Sequence, residues 1–262
     1  MIIDAHCHVW PDRIAPAALA GRVPGMEPLG DGTVSGARAS MARCGIERTV
    51  VMGIADQARH VHKVNEWIGS LADGSLIPFG TVHVDLTPEE NLESLRAGGV
   101  RGIKLHPLFQ GFNLDDERLF AILEAIDDEF PVITHIGAGG TDEANRRSDP
   151  LMLRNVIEAF PRLRLAACHF GGFHQLDEAE EQVVGLEVLL ETSWPPTLAG
   201  LDQHRVAELI RRHGPERVIF GSDWPMTDPL AEIEVIRSLG FKDDETAGIL
   251  GGNLARFLRL SA

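Results

Sequence analysis

The chain contains no tyrosine, so no phenol is available for acid/base work. Cysteine is scarce: Cys7, Cys44 and Cys168 are odd in number, far apart and never in a Cys-x-x-Cys pair, which argues against a disulfide framework or a structural zinc knuckle. Positive charge is thin as well, with 24 lysines and arginines against 39 acids and a formal net charge of −15. A surface of that sign repels nucleic acid and anionic membranes, so neither is expected as a partner. No apolar stretch reaches the roughly 20 residues of a membrane span, and strand pattern begins at Ile2, leaving no room for a signal peptide. A cytoplasmic protein is the expectation. Neither a Gly-x-Gly-x-x-Gly fingerprint nor a P-loop is found, which weighs against an open doubly wound nucleotide fold.

What the 262 residues do hold is an ordinary globular composition, 44% apolar and 24% charged, enough for one large α/β barrel or two small domains. Eleven histidines are many for this length, and their placement carries more information than their number. The first two lie in Ile2-Ile3-Asp4-Ala5-His6-Cys7-His8-Val9-Trp10, a strand pattern in which alternate side chains face opposite ways. Asp4, His6 and His8 therefore share one face. Imidazoles at i and i+2 stand about 7 Å apart at Cα and can converge on one ion at about 2.0–2.1 Å; a pair of surface or hydrogen-bonded core histidines is the alternative.

From Pro11 to Thr33 turn residues occur without periodicity, reading as a long loop with a short helix near 15–20, in a position suited to a lid. Beyond it, strand and helix patterns alternate. Strands are predicted over 48–54, 76–83, 100–106, 132–136, 163–169, 186–192 and 217–223; helices over 35–44, 58–71, 88–97, 117–128, 150–160, 176–184 and 202–213, with two more starting at Pro229 and Asp243. Thr87, Pro88 and Glu90 form a strong helix-start signal, and Gly45 suits a helix end. Eight strands separated by helices predict a parallel sheet closed as a single (β/α)8 TIM barrel domain over residues 1–262.

Such a barrel builds its chemistry at the C-terminal ends of its strands. Polar residues fall there repeatedly: His6 and His8, Lys104 and His106, His135, His169, Glu191 and Asp223. Each buried imidazole needs a partner, and one bound cation satisfies several at once.

Asp4-Ala5-His6-Cys7-His8, Gly102-Ile103-Lys104-Leu105-His106-Pro107, Thr134-His135-Ile136-Gly137, Cys168-His169-Phe170-Gly171-Gly172 and Phe220-Gly221-Ser222-Asp223-Trp224-Pro225 resemble the amidohydrolase superfamily, in its amidohydrolase-2 (ACMSD-like) branch, across essentially the whole chain. The resemblance implies one divalent metal, commonly zinc, held by His6, His8, His135 and Asp223. His169 would then be a catalytic group beside the bound water or a further ligand, and Asp223 would also move the proton. Lys104 stands where binuclear relatives carry a carboxylated lysine; substrate contact is the reading here, and a bridging carbamate with a second metal is the alternative. His106 and Trp224 are assigned to the substrate side. Glu191 either orients a ligand histidine or makes a structural ion pair, and Asp4 either orients a ligand or ties the strand base. Arg59, Arg146 and Arg147 are candidates for an anionic substrate. His83 and the other scattered histidines are read as structural, His174 excepted because its loop follows His169.

Two activities fit this set. The first is hydrolysis of a small-molecule amide, ester or lactone by metal-activated water; the alternative, also found in the branch, is nonoxidative decarboxylation of an unsaturated or aromatic acid. An arginine beside the metal would favour the second. A noncatalytic sensor would lack a ligand or an acid/base group, and neither is missing. Relatives often form homodimers, although no feature of this sequence fixes the oligomeric state.

Overall fold

The computed structural model describes residues 1–20 and 26–260, so part of the predicted lid, 21–25, lies outside the described residues. Eight strands form one parallel sheet in chain order: β1 (Ile3–His8), β2 (Arg48–Met52), β3 (Leu76–Gly80), β4 (Gly102–Leu105), β5 (Val132–Thr134), β6 (Leu165–Ala167), β7 (Leu189–Glu191) and β8 (Val218–Ile219). They alternate with helices as a (β/α)8 barrel. Every residue of β1, β3, β4, β5 and β6 is buried, as expected of strands covered on both faces, and β3, β5 and β6 accordingly read as near-continuous apolar runs, while β1 and β4 carry the buried polar residues Asp4, His6, His8 and Lys104.

The strands are shorter than their apolar patterns. Predicted strand 76–83 ends at Gly80 because side-chain amides take the backbone beyond it: Asn65 Oδ1 accepts from Thr81 N at 2.8 Å and Asn91 Oδ1 from His83 N at 3.0 Å. The pattern 217–223 keeps only Val218–Ile219 as strand, although the amide of Asp223 still donates to His6 O at 2.8 Å. Consequently His106, His135, His169 and Asp223 stand just past the strand ends rather than within them.

The chain divides into two compact units. One comprises Met1–Val51, Gly74–Leu76 and Glu191–Ala262. Inside it β1 is joined to the segment after β8 through Ala5 N to Phe220 O at 2.9 Å. Glu232, buried on the helix Pro229–Ser238, fastens the loop after β7 by accepting from Leu198 N and Thr197 Oγ1, both at 2.9 Å. Burial raises its carboxyl from the ordinary 4.5 to about 7, against those hydrogen bonds. The folded chain thus keeps a proton that the unfolded chain loses between pH 4.5 and about 7, and stability falls as pH rises through that window. Glu232→Gln is expected to remove this component, gaining on the wild type between pH 5 and 7.5 in thermal unfolding; parallel pH profiles would contradict it.

The other unit comprises Met52–Asp73 and Ile77–Leu190. Here β3 to β7 pair in parallel, with Gly80 opposite Ile103, Leu105 opposite Thr134 and Thr134 opposite Ala167. The helix Pro88–Gly98 opens on the predicted capping box, Glu90 N donating to Thr87 Oγ1 at 3.2 Å and Thr87 N to Glu90 Oε2 at 2.8 Å. It crosses the helix Val61–Gly69 so closely that a Cβ on Gly69 would lie 1.7 Å from Gly98 O. Gly69→Ala is therefore expected to destabilise the fold by about 1–3 kcal/mol, read as a lowered denaturant midpoint; an unchanged midpoint would contradict the packing. Among the described residues, no helix is long and apolar enough to cross a membrane.

Candidate metal centre

In the first unit, alternation along β1 presents His6 and His8 on one side, and Asp223 follows β8. The three donor atoms meet: His6 Nε2 lies 3.0 Å from His8 Nε2, and Asp223 Oδ1 lies 3.4 Å from each. Ligands bound tetrahedrally at about 2.0–2.1 Å stand roughly 3.3 Å apart, so the cluster has the spacing of a cation's donor set.

The second ring nitrogen of His6 explains why its Nε2 is a donor atom. Nδ1 lies 3.1 Å from Glu191 Oε2, a fully buried carboxylate that also accepts from Ser193 Oγ at 2.8 Å and, through Oε1, from Ser193 N at 2.6 Å. An acceptor-only carboxylate requires the proton on Nδ1, which leaves a lone pair on Nε2. A Cβ on Gly221 would fall 2.1 Å from Glu191 Oε1, so the glycine before Ser222 makes room for this carboxylate.

Asp4, the third polar residue on this face of β1, ties the strand instead of orienting an imidazole. Its Oδ1 accepts from His6 N and Ser222 N, both at 2.9 Å, and its Oδ2 from Ser222 Oγ at 2.6 Å. Burial pushes its carboxyl up to about 7 despite those bonds. Asp223 itself has φ 60°, and left-handed backbone at a non-glycine residue costs about 1–3 kcal/mol, sustained by this surrounding network. Trp224 N donates to Ser222 Oγ at 3.0 Å, and the buried Trp224 ring packs on Gly30, where a Cβ would approach to 2.5 Å.

In the second unit, the segments after β4, β5 and β6 bring together His106, His135 and His169. The His106 ring is stacked between Phe109 at 4.0 Å and His135 at 4.2 Å. His135 Nδ1 lies 3.0 Å from His169 Nε2, while its buried Nε2 has no hydrogen-bond partner among the described residues. Burial first, and the charge of Lys104 second, push His135 down to about 3, so its ring is neutral at pH 7, the form that binds cations. His169 also has left-handed backbone, φ 58°. Lys104 is fully buried and donates from Nζ to Cys168 Sγ at 3.1 Å.

The three candidate arginines do not join these histidines. Arg59 and Arg146 are exposed, and the Arg147 guanidinium donates to Leu108 O and Glu143 Oε1, both at 3.1 Å. Two residues of the site escaped the sequence reading. Ser193 has no sequence signal; Ser222 had one, its place between Gly221 and Asp223.

The amidohydrolase family model matches residues 3–260. No curated protein sequence matches the chain. Among solved structures, 5-carboxyvanillate decarboxylase from Sphingomonas paucimobilis is 16% identical with TM-score 0.74, covering 99% of each chain. A Pseudomonas putida protein assigned as a 2-pyrone-4,6-dicarboxylic acid hydrolase is 19% identical with TM-score 0.70, covering 100% of this chain and 98% of its own. Dihydroxybenzoic acid decarboxylase from a Polaromonas species, with manganese and the inhibitor 2-nitroresorcinol bound, is 13% identical with TM-score 0.75, covering 99% and 97%.

Proposed function

The chain belongs to the amidohydrolase family, and on that premise we propose that it is a metal-dependent hydrolase of a small-molecule amide, ester or lactone. The observation that carries this reading is the convergence of His6 Nε2, His8 Nε2 and Asp223 Oδ1 within 3.0–3.4 Å of one another. They are the proposed ligands, with His135 as a fourth, and the mixture of nitrogen and oxygen donors suits zinc. A divalent cation held by these residues would supply Lewis-acid polarisation of a carbonyl oxygen and a nucleophilic water at neutral pH. Asp223 accepts the water's proton and returns it to the leaving group, and His169 hydrogen-bonds the carbonyl oxygen as negative charge develops on it. Glu191 keeps the His6 ring in one tautomer throughout. Lys104, His106 and Trp224 are assigned to the substrate, and the proposed setting is cytoplasmic.

Hydrolysis is preferred over decarboxylation because Arg59 and Arg146 face solvent and Arg147 is engaged elsewhere, leaving no arginine of the three to grip a carboxylate. Decarboxylation is the second reading, favoured by the two similar structures whose names carry that activity. The test is a two-panel screen of the zinc-loaded protein: lactones, esters and amides in one, aromatic and muconate-like acids monitored for CO2 in the other. Turnover in the first panel is expected; turnover confined to the second would overturn the preference.

A further inference from the structure

His83, which the sequence pattern gives no role, carries an unmet hydrogen-bond donor. It follows β3, is 5% exposed, and its Nδ1 accepts from Asp85 N at 3.2 Å. A nitrogen that accepts cannot carry the proton, so the proton is on Nε2. The Asp85 carboxylate does not alter this, since its Oδ2 stands 3.7 Å from Nδ1, beyond hydrogen-bond reach. Nε2 is buried with no partner among the described residues. Leaving such a donor unmatched costs about 1–3 kcal/mol, a cost that a ligand's acceptor atom would relieve.

The neighbourhood is built rather than incidental. His83 and His106 follow the neighbouring strands β3 and β4, and the ladder that pairs Leu105 with Thr134 leads into the stacked His106 and His135. Past Gly80, where the ladder stops, side chains link the two segments, Thr81 Oγ1 donating to Lys104 O at 3.2 Å. Gln110 joins the two segments directly, its Nε2 donating to Val82 O at 2.8 Å while its Oε1 accepts from His106 N at 2.8 Å. On the other side, Asn91 holds the His83 backbone at both ends, accepting from its N–H at 3.0 Å and donating to its carbonyl at 3.1 Å. The Phe112 ring, edge-on at 6.0 Å, limits the imidazole from a further side.

We propose that His83 is a substrate-binding residue: its Nε2–H donates to a substrate acceptor oxygen, a carbonyl or a carboxylate, and so selects compounds that carry such an oxygen at that point. The assignment rests on the reading of the site as one for a small oxygen-rich molecule. A neutral, pre-oriented donor costs little to desolvate, and a site with one rejects analogues lacking the acceptor because the donor is left buried and unpaired.

The test uses the full-length, zinc-supplied protein with histidine-selective nitrogen-15 labelling, the His83 signals being identified by their loss in His83→Gln. Benzoate and the neutral lactone dihydrocoumarin serve as probes. The expected result is the Nε2–H tautomer of His83, with a resonance that moves on adding at least one probe. A response to benzoate alone marks a carboxylate oxygen, and a response to dihydrocoumarin alone a carbonyl. His83→Phe should weaken that probe's Kd about tenfold, His83→Gln, which keeps an N–H donor, by less than about threefold, both with wild-type zinc content. An Nδ1–H tautomer, a resonance indifferent to both probes, or an unchanged Kd in His83→Phe would overturn the assignment. Failure of the hydrolase reading shows separately, as absent zinc and absent turnover in the wild-type protein, and leaves the tautomer result to stand or fall by itself.

Discussion

His6→Ala is expected to lose both the bound metal and at least about a thousandfold in kcat/KM, the larger effect of any single substitution at the site. His6 is the residue on which the cluster closes: its Nε2 is 3.0 Å from His8 Nε2 and 3.4 Å from Asp223 Oδ1, while its Nδ1 faces Glu191 Oε2 at 3.1 Å. Truncation removes a donor and also strands a fully buried carboxylate, for which the loss of a charged hydrogen bond costs more than a neutral one. Asp223→Asn separates the roles. An amide oxygen can still approach a cation, but it cannot take the water's proton, so turnover should fall about as far while part of the metal is retained. The measurement is metal content by mass spectrometry of dialysed protein beside turnover of the best hydrolytic substrate. Full metal occupancy in His6→Ala, or wild-type turnover in Asp223→Asn, would contradict the assigned roles.

Glu191→Gln should weaken the centre strongly although the residue need not touch metal. Glu191 receives three hydrogen bonds on its two oxygens, from Ser193 N, Ser193 Oγ and His6 Nδ1. Glutamine offers one oxygen. Turned toward Ser193 N, it points its NH2 at His6 Nδ1 and drives the His6 proton onto Nε2, blocking the lone pair a cation would use. Turned the other way, it sets NH2 against the Ser193 amide, two donors face to face. Either orientation carries a buried mismatch of about 1–3 kcal/mol, and metal affinity is expected to fall about 10- to 100-fold, the range seen when the partner of a ligating histidine is altered. Titration with a zinc-buffering chelator reads this directly. Wild-type affinity would mean that the carboxylate serves the fold alone.

Much of the architecture is legible from local pattern. The capping box at Thr87 and Glu90 and the left-handed Gly45 at a helix end follow from rules spanning only a few residues. Histidines at i and i+2 on β1 share a face because strand periodicity leaves no alternative. Strand ends were not legible: apolar residues run on through Val82 and Phe220 whether or not a ladder accompanies them, and Asn65 and Asn91, which interrupt the run after β3, lie on helices elsewhere in the chain. The left-handed turns at His169 and Asp223 have no glycine to announce them. The pairing of Glu191 with His6 spans 185 residues, so the sequence allowed an orienting role and an ion pair equally until the fold brought them together. Asp4 shows the converse, its parity with His6 and His8 suggesting a part in the cluster that its bonds to Ser222 assign to the backbone. His83 lay within reach of the same parity argument, but its link to the His106 segment runs through the Gln110 side chain, which no local pattern announces.

The central claim is that donors from the first strand and from the segment after the last one hold a divalent cation. Anomalous diffraction at the zinc absorption edge, from crystals grown with zinc, tests it most directly. One strong peak bonded at about 2.0–2.2 Å to His6 Nε2, His8 Nε2 and an Asp223 oxygen is expected. No peak at that point, with the three side chains hydrogen-bonded to one another or to water alone, would contradict it.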